Sequence, residues 1–194
     1  EMTQFFSLEK PDVEEKSLSQ LFRKYLDFDL QPTTTADQLQ DLCYKRNLHP
    51  SPTDDWTDLF HRLFLEYVEP KFDPCKLTVI TEFPPEMSAL ARIGANGWSQ
   101  RFEVYWKGLE LANAYQELNN AEEQIKRIAL WREQRQRSDR FPHRIDAEFS
   151  KCLSLGFPPS SGIALGMDRL FMALFDIKDI ASTRLFPFFP EGSI

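Results

Sequence analysis

The sequence predicts an α+β fold, an antiparallel β-sheet flanked by helices, and two observations carry that reading. Apolar residues recur at helical spacing through the first third of the chain. From Lys76 onward, short runs alternate apolar and polar side chains, the period of a strand, before helical spacing returns. The 194 residues suffice for one good-sized core, and 42% apolar with 27% charged is ordinary for a globular chain. No run approaches the ~20 apolar residues of a membrane span. The opening "EMTQFFSLEK" lacks the basic head and apolar middle of a signal peptide. Cys43, Cys75 and Cys152 are odd in number and scattered. That spacing disfavours a disulfide framework or a zinc site and fits a reducing cytoplasm.

After a short extended start, residues 1–70 read as three helices. "VEEKSLSQLFRKYLDF" sets Leu18, Leu21, Phe22, Tyr25 and Leu26 on one face. "TTTADQLQDLCYKRN" offers threonine caps ahead of Leu39, Leu42 and Cys43. "SPTDDWTDLFHRLFLEYVEP" predicts Ser51 as N-cap and Pro52 as the first helical residue. Its apolar set is Trp56, Leu59, Phe60, Leu63, Phe64 and Tyr67, so the three helices make a packed layer. "KLTVITEF" is a strand closed by Pro84-Pro85, and "RFEVYWKGLELANAYQEL" is a hairpin turning at Lys107-Gly108. "NNAEEQIKRIALWREQRQRSDR" is a long helix capped by Asn119 or Asn120, with Ile125, Ile128 and Leu130 partly buried. "IDAEFSKCLSLG" is a helix ending at Gly156. "SGIALGMDRLFMALF" is a short strand that turns into a helix at Met167. The absence of an internal repeat or a low-complexity linker makes the chain one unit.

Charge is unevenly spread. Residues 1–70 hold 14 acidic and 7 basic side chains, the remainder 16 of each, so the net charge of -7 belongs to the first third. An anionic ligand is better served by the later part, and the chain lacks the broad basic excess of a nucleic-acid coat. The basic run from Lys126 to Arg144, with Arg127, Arg132, Arg135, Arg137 and Arg140, reads as a solvated helix face or as a contact for an acidic partner or RNA.

In the hairpin, a two-residue turn sets Tyr105 opposite Glu110 and Glu103 opposite Ala112. Glu103 and Glu110 then share a face as diagonal neighbours roughly 7–8 Å apart at the backbone. They are either two solvated acids or a pair that converges on one divalent cation, and two carboxylates with room for phosphate oxygens suit Mg²⁺. Asn113, Tyr115 and Glu117 have the opposite parity. Either a bulge near Ala112 realigns them with Glu110 or they do a different job. A carboxylate beside a ring, as Glu117 is beside Tyr115, can receive an ammonium group. Farther on, Gly162, Ala164 and Gly166 are small at alternate positions, which lets a flat group such as adenine lie on the backbone. Asp168 suits the positive end of the following helix, whereas Arg169 does not. Arg169 therefore meets a phosphate, or it pairs with Asp168 or another acid on the sheet.

These segments, in this order, resemble the later half of the catalytic domain of class II aminoacyl-tRNA synthetases, in the lysine branch. "PPEMSALAR", "RFEVYWKGLELANAYQEL" and "SGIALGMDRLFMAL" carry the resemblance, the last as that class's third signature motif. The resemblance makes residues 1–194 the C-terminal part of one catalytic domain, with 1–76 a mostly helical insertion and 77–194 the sheet with the third motif. The fold it implies is the class II synthetase-like sheet, incomplete at its N-terminal side. Ala164 stands where lysyl-tRNA synthetases usually carry glycine. "SGIALGMDR" together with "RFEVYWKGLELANAYQEL" looks more like the short paralogue that ligates β-lysine to a lysine of translation elongation factor P, whereas "PPEMSALAR" is closer to the tRNA-charging enzymes.

The resemblance also implies roles. Glu103 and Glu110 hold Mg²⁺ on ATP, and Arg169 orients ATP at the γ-phosphate. Asn113 positions the amino acid or its adenylate, and Tyr115 and Glu117 bind the lysine or β-lysine side chain. Gly162, Ala164 and Gly166 form the floor under adenine and amino acid. The acceptor is elongation factor P, or tRNA-Lys if the parent is a lysyl-tRNA synthetase, and the parent is a homodimer. A synthetase-like module that binds without chemistry is the remaining alternative, which four retained charges, Glu103, Glu110, Glu117 and Arg169, argue against. Neither the arginine-bearing second motif nor the dimer-forming first motif is found. These 194 residues alone are therefore expected to give no lysine- or β-lysine-dependent ATP–pyrophosphate exchange, and measurable exchange overturns that expectation.

Overall fold

The computed structural model describes residues 10–137 and 146–186. Its strands are β1 (Asp12–Ser17), β2 (Lys76–Thr81), β3 (Arg101–Trp106), β4 (Leu109–Gln116) and β5 (Ser161–Leu165), paired side by side in chain order. Strands β2 to β5 are antiparallel, as the alternation predicts, and β1 joins parallel to β2. A parallel neighbour needs a long crossover, and the helices between Ser17 and Lys76 supply it. The extended start thus reaches beyond the expected point: Val13 to Ser17 are strand, not helix. Ser17 ends the strand because it caps the next element. Its Oγ accepts from the Gln20 amide, and its own amide donates to Gln20 Oε1, both at 3.2 Å.

The helical layer comprises α1 (Leu18–Leu26), α2 (Ala36–Lys45) and α3 (Trp56–Leu63), which runs on as a wider π turn over Phe64–Val68. Thr35 and Gln38 form a second capping box at α2. Helix α3 starts later than predicted. Asp55, not Ser51, is the N-cap and accepts from the amides of Thr57 at 2.8 Å and Asp58 at 3.0 Å. Ser51 instead closes a turn by accepting from the Asp54 amide at 3.0 Å. A carboxylate cap also answers the helix dipole, which a serine hydroxyl does less well. Phe60 lies at the centre of the layer, its ring 5.1 Å from Phe22, 5.4 Å from Trp56 and 5.8 Å from Phe64. The same core takes in Ile80, Phe83 and Tyr105, so the layer covers one sheet face at β2 and β3.

On the other face packs α6 (Met167–Phe175), with Leu170 and Leu174 around a cavity of about 180 Å³ that Trp106 and Leu111 also line. Lys107 Nζ donates to the Ala173 carbonyl at 2.8 Å and ties the hairpin turn to this helix. Helix α4 (Ala121–Arg137) begins at Asn120, whose Oδ1 accepts from the Glu123 amide at 2.9 Å. Arg127 anchors it, donating to Ser88 Oγ at 2.9 Å and to the carbonyls of Ala89 at 3.0 Å and Ala91 at 2.8 Å. That anchor turns Gln124 inward and leaves Ile125 and Leu130 exposed, contrary to the sequence expectation for those two. Arg127 itself is therefore no solvated charge, while Arg140 and Arg144 of the same run lie outside the described residues, as does the tail beyond Phe186. Helix α5 (Ala147–Ser154) opens on Asp146 and is followed by Gly156 at φ 108°. No helix among the described residues is long and apolar enough to cross a membrane.

Phe60 is 1% exposed. Phe60→Ala is expected to lower unfolding stability by about 3–5 kcal/mol, read from the urea midpoint. A loss below about 1 kcal/mol would mean that the helical layer is not packed on this ring.

Candidate active site

Strands β3 and β4 meet at Lys107 (φ 50°) and Gly108 (φ 74°), both left-handed, the signature of a type I′ turn. Pairing starts as the turn demands, Trp106 with Leu109 and Tyr105 with Glu110. It then slips. Val104 pairs with Ala112 and Glu103 with Asn113, so Leu111 is the extra residue of a bulge. This corrects the simple register, which set Glu103 opposite Ala112. A one-residue slip moves the rest of a strand to the other face. Asn113 and Tyr115 thereby join Glu103 and Glu110, and of the two readings the sequence left open, the bulge is present. The carbonyls around it are answered by the start of α6: Leu111 accepts from the Gly166 amide at 2.8 Å, and Glu110 from Arg169 Nη1 at 3.1 Å.

Strand β5 extends the face, with Gly162 opposite Tyr115 and Ala164 opposite Asn113. A Cβ on Gly162 would lie 2.7 Å from Glu117 Oε1, so the missing side chain makes room for that carboxylate. A Cβ on Gly166 would meet the Leu111 carbonyl at 3.5 Å, an ordinary contact, and its φ is -74°. Nothing in the fold requires glycine there, which leaves open surface at the strand-to-helix junction. The structure thus brings Glu103, Glu110, Asn113, Tyr115, Glu117, Gly162 and Ala164 to one face, with Gly166 and Arg169 at its edge.

Glu103 is only 8% exposed. Arg101 and Asn113 Nδ2 (3.2 Å) donate to its Oε1, and the Tyr105 hydroxyl donates to Oε2 at 2.8 Å. Burial raises the Glu103 pKa above the usual carboxylate value, and the charge of Arg101 works against that rise. The Arg101 side chain, 7% exposed, also donates to the Met87 carbonyl and lies 4.2 Å from the Phe83 ring centre and 5.3 Å from that of Tyr115. Burial, reinforced by Glu103, pushes the Tyr105 hydroxyl upward, so it stays a protonated donor. Arg101 and Tyr105 were not singled out in the sequence. The available signal was that a strand glutamate turned toward a core needs donors, and residues i±2 are the nearest on its face.

Glu110 lies 3.8 Å from Arg169 Nη1, and that arginine remains half exposed. Arg169 therefore meets an acid on the sheet and not Asp168, which accepts from Thr183 Oγ1 at 2.8 Å and Arg184 Nη2 at 3.0 Å. Glu69, at the end of the helical layer, is held above the usual carboxylate range by burial, with the charge of Glu110 adding to it. Asn113 Oδ1 is buried without a hydrogen-bond partner. A cavity of about 680 Å³ reaches Arg101 and Glu103 from between α3 and α4, walled by Trp56, Met87 and Trp131. No group of three or more metal-ligating side chains occurs among the described residues. The face therefore offers three carboxylates, an arginine and an unpartnered amide oxygen, a set suited to an anion-bound cation and an ammonium.

Residues 7–189 match the model of class II tRNA synthetases (D, K and N), and the chain belongs to that family. Among curated proteins it is similar to the elongation factor P–(R)-β-lysine ligase of Haemophilus influenzae, 35% identical over 175 residues, which are 89% of this chain and 54% of that protein. The ligase of the same name from Buchnera aphidicola is 36% identical over 186 residues, covering 94% and 58%. That of Proteus mirabilis is 37% identical over 180 residues, covering 90% and 54%. The chain spans a little over half the length of these relatives.

Arg101→Leu leaves Glu103 buried without its cation. It is expected to cost about 3–5 kcal/mol of unfolding stability. A urea midpoint unchanged from the parent would show that the pair does not hold the face together.

Proposed function

We propose that the chain is part of the catalytic domain of an ATP-dependent ligase that activates lysine or β-lysine as an aminoacyl-adenylate and passes it to a lysine of elongation factor P. The observation that carries the reading is the bulged face of β3 and β4, which gathers Glu103, Glu110, Asn113, Tyr115 and Glu117 with Arg169 at its edge. Family membership supports the activation chemistry, and the names of the relatives support the amino acid and the acceptor. In this reading residues 1–76 are a mostly helical insertion that also supplies β1 to the sheet, 77–194 carry the rest of the sheet with the third motif, and the parent acts as a homodimer in the cytoplasm.

The residues fit Mg²⁺ and ATP. Glu103 and Glu110 are hard oxygen donors on one face, without a third protein ligand among the described residues, as expected of a Mg²⁺ that keeps phosphate oxygens and waters. Bound there, the ion neutralises triphosphate charge. The half-exposed guanidinium of Arg169 has further N–H groups for the γ-phosphate beyond the one given to Glu110. The open backbone at Gly166 leaves room for the nucleotide. Asn113 Oδ1, lacking a protein partner, accepts an N–H of the amino acid. Glu117, lodged over Gly162, takes the side-chain ammonium, with the ring of Tyr115 beside its apolar stem. The methyl of Ala164, opposite Asn113, narrows the amino-acid subsite and so bears on substrate choice. Together these groups work by positioning and by charge stabilisation.

The test uses the full-length parent with labelled lysine or β-lysine, ATP, elongation factor P and tRNA. Label on a lysine of elongation factor P is the expected result. Label on tRNA would favour the lysyl-tRNA synthetase reading, to which "PPEMSALAR" is closer. Absence of amino-acid-dependent ATP–pyrophosphate exchange would sink both. In the same assay Glu117→Gln is expected to raise the amino-acid KM about tenfold or more while the ATP KM moves less than about twofold. Equal effects on the two would place Glu117 outside the amino-acid subsite.

A further inference from the structure

We propose that Tyr105 is a positioning residue for Glu103, through which the helical layer sets where the cation-binding carboxylate stands. The inference rests on the cation role given to Glu103 above. Arg101 and Asn113 both donate to Oε1 of that carboxylate. Oε2 is thus the less engaged oxygen, and the Tyr105 hydroxyl, 2.8 Å away, fixes its direction while leaving a lone pair for a cation. A phenol does this with little freedom, because once the ring is held the hydroxyl is held too.

The ring is held from the helical side. Phe72 packs edge-on against Tyr105 with ring centres 5.2 Å apart, and Phe64 lies at 6.2 Å. Phe64 stacks on Phe60 at 5.8 Å, and Phe60 on Phe22 at 5.1 Å. Contact is therefore continuous from the centre of the layer to the carboxylate. Tyr105 is 6% exposed, and its partner across the β2 pairing, Thr78, is fully buried. No water can replace the hydroxyl cheaply at such a place. Partners that orient metal ligands from behind are worth about 10–100-fold in metal affinity or activity.

Tyr105→Phe in the full-length protein keeps the packed ring and removes the hydroxyl. The readout is the Mg²⁺ dependence of amino-acid-dependent ATP–pyrophosphate exchange, beside the amino-acid KM and the urea midpoint. The apparent Mg²⁺ requirement is expected to rise about tenfold, with the amino-acid KM changed by less than about twofold. An unchanged Mg²⁺ requirement overturns the proposal, and so does a rise matched by an equal rise in amino-acid KM. Phe72→Leu, which keeps the hydroxyl and loosens the ring, is expected to shift the Mg²⁺ requirement the same way by less. If Tyr105→Phe fails to fold, the absence of a shift in Phe72→Leu overturns the proposal in its place. Glu103→Gln separates the two levels. If it leaves the Mg²⁺ requirement unchanged, the cation role of Glu103 fails and this inference with it. If it shifts the requirement and Tyr105→Phe does not, only the positioning role fails.

Discussion

Leu111 is one residue too many for its hairpin, and the candidate site depends on that excess. Side chains alternate along a strand, so without a bulge Asn113 and Tyr115 would point away from Glu103 and Glu110. With it, all four share a face. On its other edge the bulged strand is held at the strand-to-helix junction, where the Leu111 carbonyl accepts from the Gly166 amide, in register with the β4–β5 pairing, and the Glu110 carbonyl from Arg169. The arginine given to phosphate thus also bonds the strand beside the bulge.

A second constraint follows from turning Glu103 toward a core. A buried carboxylate is costly unless donors surround it, and Arg101, Tyr105 and Asn113 do so. Each donor also touches something else. Arg101 lies against Phe83 and Tyr115, Tyr105 against Phe64 and Phe72, and Asn113 sits across from Ala164. One charge thereby links the helical layer, the proposed phosphate side of the face and the proposed amino-acid side. The helices are on this account a support for the site as well as a cover for the sheet.

Membership of the class II synthetase family and likeness to the elongation factor P–(R)-β-lysine ligases agree with what the face can do. Two carboxylates with an arginine suit a triphosphate and its cation, and a third carboxylate beside a ring suits an ammonium. The matched part is a little over half the length of these relatives, so the activity is a property proposed for the longer protein.

Residue types and spacing by themselves determined the α+β class, the three amphipathic helices, the hairpin and its Lys107-Gly108 turn, because each rests on local periodicity or on a backbone preference. They also picked out Glu103, Glu110, Glu117 and Arg169, since charges on strands and at helix starts need a reason. Local pattern could not choose between a regular hairpin and a bulged one. The bulged strand is held on its other edge by partners 50 and more residues away, at Gly166 and Arg169, which no local pattern displays. The same holds for β1, whose strand character comes from pairing with β2, and for Arg127, whose direction is fixed by the carbonyls of Ala89 and Ala91. Arg101 and Tyr105 read as ordinary strand residues until the helical layer closes over them. Tertiary structure alone decided that they enclose a charge, because burial, which makes an unpaired carboxylate costly, is not a local property.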